Sequence, residues 1–144
     1  MKLAACAAAV AILSILVMTA ALSSSASPAR SAKVARGKYL VEGVGMCGDC
    51  HTPRNEKGEA IPGKTLRGAV LSFKPITPMP VWADKAPNIA GLPGWTDEQA
   101  VKFLMTGIAY NELPGRPPMP QYRFNEQDAE AIVAYLRSLA PADK

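Results

Sequence analysis

Cys47-Gly48-Asp49-Cys50-His51 is the stretch on which the reading of the whole chain turns. Two cysteines separated by two residues and followed at once by histidine form an attachment pattern for c-type haem. Each thiol can add to one vinyl group of the porphyrin, and His51 can offer its imidazole to the iron. A bare Cys-x-x-Cys would also suit a redox dithiol, half of a zinc site or a disulfide. A redox dithiol gives His51 no role, and zinc needs four ligands in a chain with one histidine and three cysteines. The third cysteine, Cys6, lies in an apolar leader. One haem c, attached through Cys47 and Cys50 and ligated by His51, is therefore the expected cofactor.

The 144 residues suffice for a single domain behind a targeting segment. Lys2, the apolar run Leu3 to Leu22 and the small residues from Ser23 to Ser27 read as a secretory leader cleaved after Ala26. This makes residues 1–26 the leader and residues 27–144 the working domain. The run is longer than the usual apolar stretch of a leader, so a retained membrane anchor is the alternative. Leu3-Ala4-Ala5-Cys6 has the look of a lipidation box, but its apolar stretch follows the cysteine instead of preceding it. A haem attached in this way to an exported chain points to the periplasm. The formal charge of +4 includes Lys2, and no block of five Lys/Arg occurs, which excludes a nucleic-acid-binding footprint.

Along the chain every regular pattern is helical. Ser31 to about Val44 reads as a helix capped by Ser31, with Val34, Leu40, Val41 and Val44 near helical spacing and Gly37 inside. From Thr52 to Pro87 periodicity disappears among six prolines, which excludes a long helix and suits a loop wrapped around a large apolar cofactor. Thr96-Asp97-Glu98-Gln99 is a capping box that opens a helix from about 97 to 106, stopped by Gly107. Ala100, Val101, Phe103 and Leu104 give its buried face. Asn125 caps a last helix to about Leu139, with Ala129, Ile132, Val133, Leu136 and Leu139 on one side. The expected fold is all-α, with three to five helices around one haem and long Pro-rich loops.

A ligand opposite His51 cannot be a second histidine of this chain, which leaves methionine, a less usual group such as lysine, or an open site. Met46 adjoins Cys47 and cannot reach the opposite face, and Met105 belongs to a helix. Met79 and Met119 both stand in Pro-Met-Pro, where flanking prolines restrict the backbone that presents the thioether. Met119, just before the last helix, leaves enough chain to pass around the haem and is the expected ligand.

With these residues in place the chain resembles a class I cytochrome c, and in particular cytochrome c subunits of periplasmic or membrane-bound dehydrogenases. The residues that carry the resemblance are Gly37-Lys38-Tyr39-Leu40, Cys50-His51-Thr52-Pro53-Arg54, Pro117-Pro118-Met119-Pro120 and Ala134-Tyr135-Leu136-Arg137-Ser138-Leu139. The resemblance implies that Gly37 lets the first helix cross the last closely, against Tyr135. It also implies that the carbonyl of Pro62 accepts the His51 N–H and that Asn88 and Trp95 lie near the haem propionates, with amide and indole donors. The function it implies is single-electron transfer between redox proteins: a dehydrogenase, a terminal oxidase or another cytochrome. Two further readings are an electron-outlet subunit of a dehydrogenase complex and an open-site haem protein that binds a small ligand. No acid/base pair or nucleophilic constellation accompanies the motif, so the chain reads as an electron carrier and not an enzyme.

Overall fold

The structure, a computed structural model, describes residues 27–139. The expected leader and its alternative, the anchor, lie outside the described residues, and no described helix is long and apolar enough to cross a membrane. The chain divides into compact units of residues 1–31 and 32–144. The described part of the first is the opening turn of helix α1 (Pro28–Tyr39). Pro28 takes the first helical position, where its missing N–H costs nothing. Ser31, expected as the cap, instead sits inside the helix and donates its hydroxyl to the Pro28 carbonyl at 2.9 Å.

In the second unit α1 runs into a π-turn over Leu40–Val44, followed by the short helix α2 (Gly48–His51). Helices α3 (Asp97–Thr106) and α4 (Glu126–Ser138) follow. The four α-helices among the described residues agree with the expected all-α class. Added to them is a two-residue antiparallel pair, β1 (Ala69–Val70) with β2 (Lys85–Ala86), in which Ala69 faces Ala86 and Val70 faces Lys85. Strands this short leave no period-2 pattern to detect.

Both long helices start as their sequences dictate. The Thr96 hydroxyl accepts the Gln99 N–H while Gln99 reaches back to the Thr96 N–H, a complete capping box, and Gly107 closes α3 in the left-handed conformation at φ 75°. The Asn125 side chain accepts the Asp128 N–H at 2.8 Å to open α4.

The core is built from Leu40, Val41, Leu66, Ala100, Ile132, Val133, Tyr135 and Leu136, with Val34, Val101 and Leu104 packed against it. Helix α3 packs along α4, and α4 also meets the π-turn. Gly37 is buried at the crossing of α1 with α4, where an added Cβ would stand 1.8 Å from the Ala131 carbonyl oxygen and 2.8 Å from Tyr135 Cβ. The implied close crossing is present, with Tyr135 against Gly37. Val44, expected on the apolar face, is exposed. The π-turn inserts residues at a wider pitch than an α-turn and moves Val44 off that face.

One side chain ties the end of α4 to the turn before α3. Arg137 donates to the carbonyls of Gly91 at 2.7 Å, Leu92 at 3.1 Å and Trp95 at 2.5 Å, and pairs with Asp97 at 2.8 Å. A guanidinium suits this task because its five donors are fixed in one plane.

Candidate functional site

The π-turn delivers the chain to the Cys47–His51 motif. The Gly45 N–H bonds back to the Leu40 carbonyl at 2.7 Å and the Cys47 N–H to Val41 at 3.0 Å, and Met46 takes a left-handed φ of 46°. Cys47 then stands at the N-terminal end of α2, with Cys50 and His51 inside it. Both cysteines are free thiols and half-buried. Burial, with a lesser push from the neighbouring Cys50, raises the Cys47 thiol above its ordinary pKa. A redox dithiol needs the opposite shift, towards thiolate. Among the described residues no group of three or more His, Cys, Asp and Glu is placed to hold a metal ion.

His51 is buried, 5% exposed. Its Nδ1 lies 2.7 Å from the carbonyl oxygen of Pro87. A carbonyl can only accept, so Nδ1 carries the proton and Nε2 keeps its lone pair. Burial lowers the His51 pKa, and the Pro87 bond opposes that only in part. The ring is therefore held neutral with Nε2 open, and a carbonyl behind a histidine that ligates metal fixes its tautomer and raises its basicity.

Pro62 does not fill this role. It is exposed in the turn where the Lys64 N–H bonds the Ile61 carbonyl, and the carbonyl expected from Pro62 is supplied by Pro87. Gly68 explains how Pro87 is held in place. The Gly68 N–H donates to the His51 carbonyl at 2.7 Å. At φ 86°, its absent Cβ would meet Asn88 N at 2.8 Å and the Ala86 oxygen at 3.0 Å. Backbone thus passes backbone at a point only glycine permits. Thr52, also buried, accepts the Leu66 N–H at 2.9 Å, and the Leu66 carbonyl accepts from Ile89 and Ala90. The residues after the motif are in this way laced to the 87–90 segment.

Met119 lies close to His51. It follows a cis Pro117–Pro118 bond, is half-buried, and its N–H bonds the Arg116 carbonyl at 3.1 Å. Met79 is exposed. Asn88 spends its Oδ1 on the Ala90 N–H at 2.9 Å, leaving its NH2 as the donor end. Trp95 is half-buried with its ring 5.5 Å from Phe103 and 5.0 Å from Tyr110. Tyr122 went unnoticed in the sequence, although it stands three residues after Met119. Its hydroxyl donates to the Gly45 carbonyl at 2.5 Å. Burial first, then the neighbouring Cys47 and Cys50, raises its pKa.

Two free thiols on one turn, a neutral buried imidazole with an open Nε2 and a thioether nearby form the donor set of a protein that carries haem covalently. A family model for cytochrome c matches residues 34–140, and the chain belongs to the cytochrome c family, whose members bind haem c covalently. It is 34% identical over 128 residues to the cytochrome c subunit of alcohol dehydrogenase (quinone) from Gluconacetobacter polyoxogenes, covering 80% of this chain and 26% of that protein. It is 32% identical over 114 residues to the fructose dehydrogenase cytochrome subunit of Gluconobacter japonicus, covering 72% and 21%. With the gluconate 2-dehydrogenase cytochrome c subunit of Pantoea cypripedii the identity is 33% over 121 residues, covering 76% and 27%. The chain spans about a quarter of the length of these curated relatives.

Proposed function

We propose that this chain is a periplasmic carrier of single electrons that holds one haem c through Cys47 and Cys50, with His51 and Met119 as axial ligands. The observation that carries this reading is the Pro87 carbonyl 2.7 Å behind His51 Nδ1, beside two free thiols. Bound haem would supply a ferric/ferrous couple, whose ferrous state a thioether ligand favours. The chain's part is to keep His51 neutral, to hold its ring in one orientation and to bring a soft sulfur to the other side. Asn88 and Trp95 are proposed as donors to the propionates. The similarity to cytochrome subunits of dehydrogenases supports a dehydrogenase as the electron source, with this chain as its outlet.

Three measurements test the reading. A pyridine haemochrome assay against protein mass should return one haem per chain. The sulfur-to-iron charge-transfer band of the oxidised protein should vanish in Met119→Ala and persist in Met79→Ala, and the reverse pattern sinks the ligand assignment. Rapid binding of carbon monoxide to the untouched ferrous protein would point instead to an open-site haem protein.

A further inference from the structure

The hairpin between β1 and β2 has no part in the proposed function as stated so far. Its stem is the β1–β2 pair, extended by the Leu71 N–H bonding the Asp84 carbonyl at 2.9 Å. Its tip, residues 72–83, holds itself in shape by packing. Phe73 meets Trp82 edge to face at 5.9 Å, and the Trp82 N–H bonds the Met79 carbonyl at 3.0 Å. The buried indole N–H of Trp82 finds no acceptor among the described residues. Pro75, Pro78 and Pro80 remove much of the remaining backbone freedom.

What this stiff tip shows to solvent is apolar. Phe73, Ile76, Met79 and Val81 are between 42% and 105% exposed, with Ile76 the extreme, and Val70 on the stem is exposed beside them. Single exposed apolar residues need no explanation, but several on one ordered loop do. The same Pro-Met-Pro that looked like a ligand loop here puts its methionine on the outside.

The surrounding charge is also one-sided. Several cations elsewhere pair with carboxylates within the chain, as in Lys33–Glu130, Arg36–Asp128 and Lys102–Glu112. Lys74 and Lys85 have no acidic partner among the described residues, and Asp84 is the hairpin's one acid. Arg116 spends its guanidinium on the carbonyls of Val81 at 3.0 Å and Trp82 at 2.6 Å. That contact, with the Ala83 N–H donating to the Pro117 carbonyl at 2.7 Å, fastens the tip to the segment that leads into Met119.

We infer that the apolar tip of this hairpin, with Ile76 at its centre and Lys74 and Lys85 beside it, docks the electron-donating protein, which offers an apolar recess rimmed by carboxylates. The inference rests on the proposed electron-carrier function and adds the surface through which it works. An electron donor must come near the ligated iron, and the tip is bonded to the loop of the proposed sulfur ligand. A lipid surface gains nothing from that proximity, so the protein is the occupant the geometry favours. Apolar contact gives such a pair its lifetime, and the opposed charges speed encounter.

The test is stopped-flow reduction of the full haem-loaded chain by its substrate-reduced dehydrogenase, with ascorbate as a small reductant that needs no docking. Ile76→Asp should lower the rate with the dehydrogenase about tenfold or more, and Lys74→Glu should lower it roughly threefold and flatten its salt dependence. The exposed control Tyr39→Asp should stay within about twofold of wild type, and reduction by ascorbate should be unchanged in all three. An Ile76→Asp chain reduced by the dehydrogenase at the wild-type rate overturns the docking surface and leaves the carrier function standing. A wild-type chain that no dehydrogenase reduces defeats the outlet reading, and the docking surface falls with it. If Ile76→Asp leaves the dehydrogenase rate intact but abolishes a dimer in sedimentation, or abolishes binding to phosphatidylglycerol vesicles, the tip belongs to a second copy or to lipid and the inference fails.

Discussion

Replacing Gly37 with alanine would place a methyl group 1.8 Å from the Ala131 carbonyl oxygen and 2.5 Å from its carbon. A carbon needs about 3.3 Å from such an oxygen, so α1 and α4 would have to part by roughly 1.5 Å at their crossing. The obstructing atoms are backbone and cannot rotate away. Parting the helices draws on the packing of Leu40 and Val41 against Ile132 and Leu136, all of them buried. Overpacking of this kind costs about 1–3 kcal/mol, and a backbone obstacle puts Gly37→Ala at the upper end. Alanine returns about 1 kcal/mol of helix propensity. The net is a loss of about 2 kcal/mol, or roughly 8 °C in thermal midpoint for a domain of this size. Circular dichroism at 222 nm during thermal unfolding of the haem-loaded protein measures it. Gly43→Ala is the matched control, because its Cβ would meet only the Tyr39 ring at 3.5 Å. If Gly37→Ala melts at or above the wild-type temperature, the reasoning about the crossing is wrong.

Gly68→Ala should strain a residue at φ 86° and push the Pro87 carbonyl away from His51. The expected signs are lowered stability by about 1–3 kcal/mol and a shifted haem midpoint potential, and a variant with unchanged potential would remove Gly68 from the support of His51. Thr52→Val keeps the shape of the side chain but leaves the Leu66 N–H buried without its acceptor, costing about 1–3 kcal/mol in denaturant unfolding. An unchanged unfolding midpoint would mean that water reaches this amide. The Arg36 hydrogen bond is the main cause that holds Asp128 below the ordinary carboxylate value of 3.8. A depressed folded pKa gives stability that is present above 3.8 and lost as pH falls below it. The stability difference between wild type and Asp128→Asn should therefore narrow as acid is added below that value, and a constant difference would contradict the coupling.

What the sequence revealed was what its neighbours along the chain decide. The attachment pattern is local, so Cys47, Cys50 and His51 stand out from the sequence alone as the proposed haem-binding turn. The caps at Thr96 and Asn125 are equally local, because a side chain there bonds an amide three residues on. Gly37 was recognisable because a glycine inside a helix needs a reason. The proton acceptor of His51 was not readable in this way. It lies 36 residues from the ring, in a segment with many prolines, and no local rule separates Pro87 from Pro62. Arg137 looked like an ordinary cation near a helix C-terminus, whereas it holds three carbonyls more than 40 residues away. The β1–β2 stem was invisible for lack of length. Val44 was assigned to the apolar face because a 3.6-residue period had been carried through a turn that does not keep it.

That π-turn also bears on how related chains are to be aligned. Each residue added to an α-helix turns the chain beyond it by about 100°, so the wider turn between Leu40 and Val44 acts as a spacer between two fixed points, the Gly37 crossing and the proposed attachment turn at Cys47. A relative whose first helix stayed regular to its end would reach its attachment turn with one residue fewer. A one-residue gap at this place would then mark a difference in helical pitch and not a loss of the site, and both landmarks would keep their partners on either side of it.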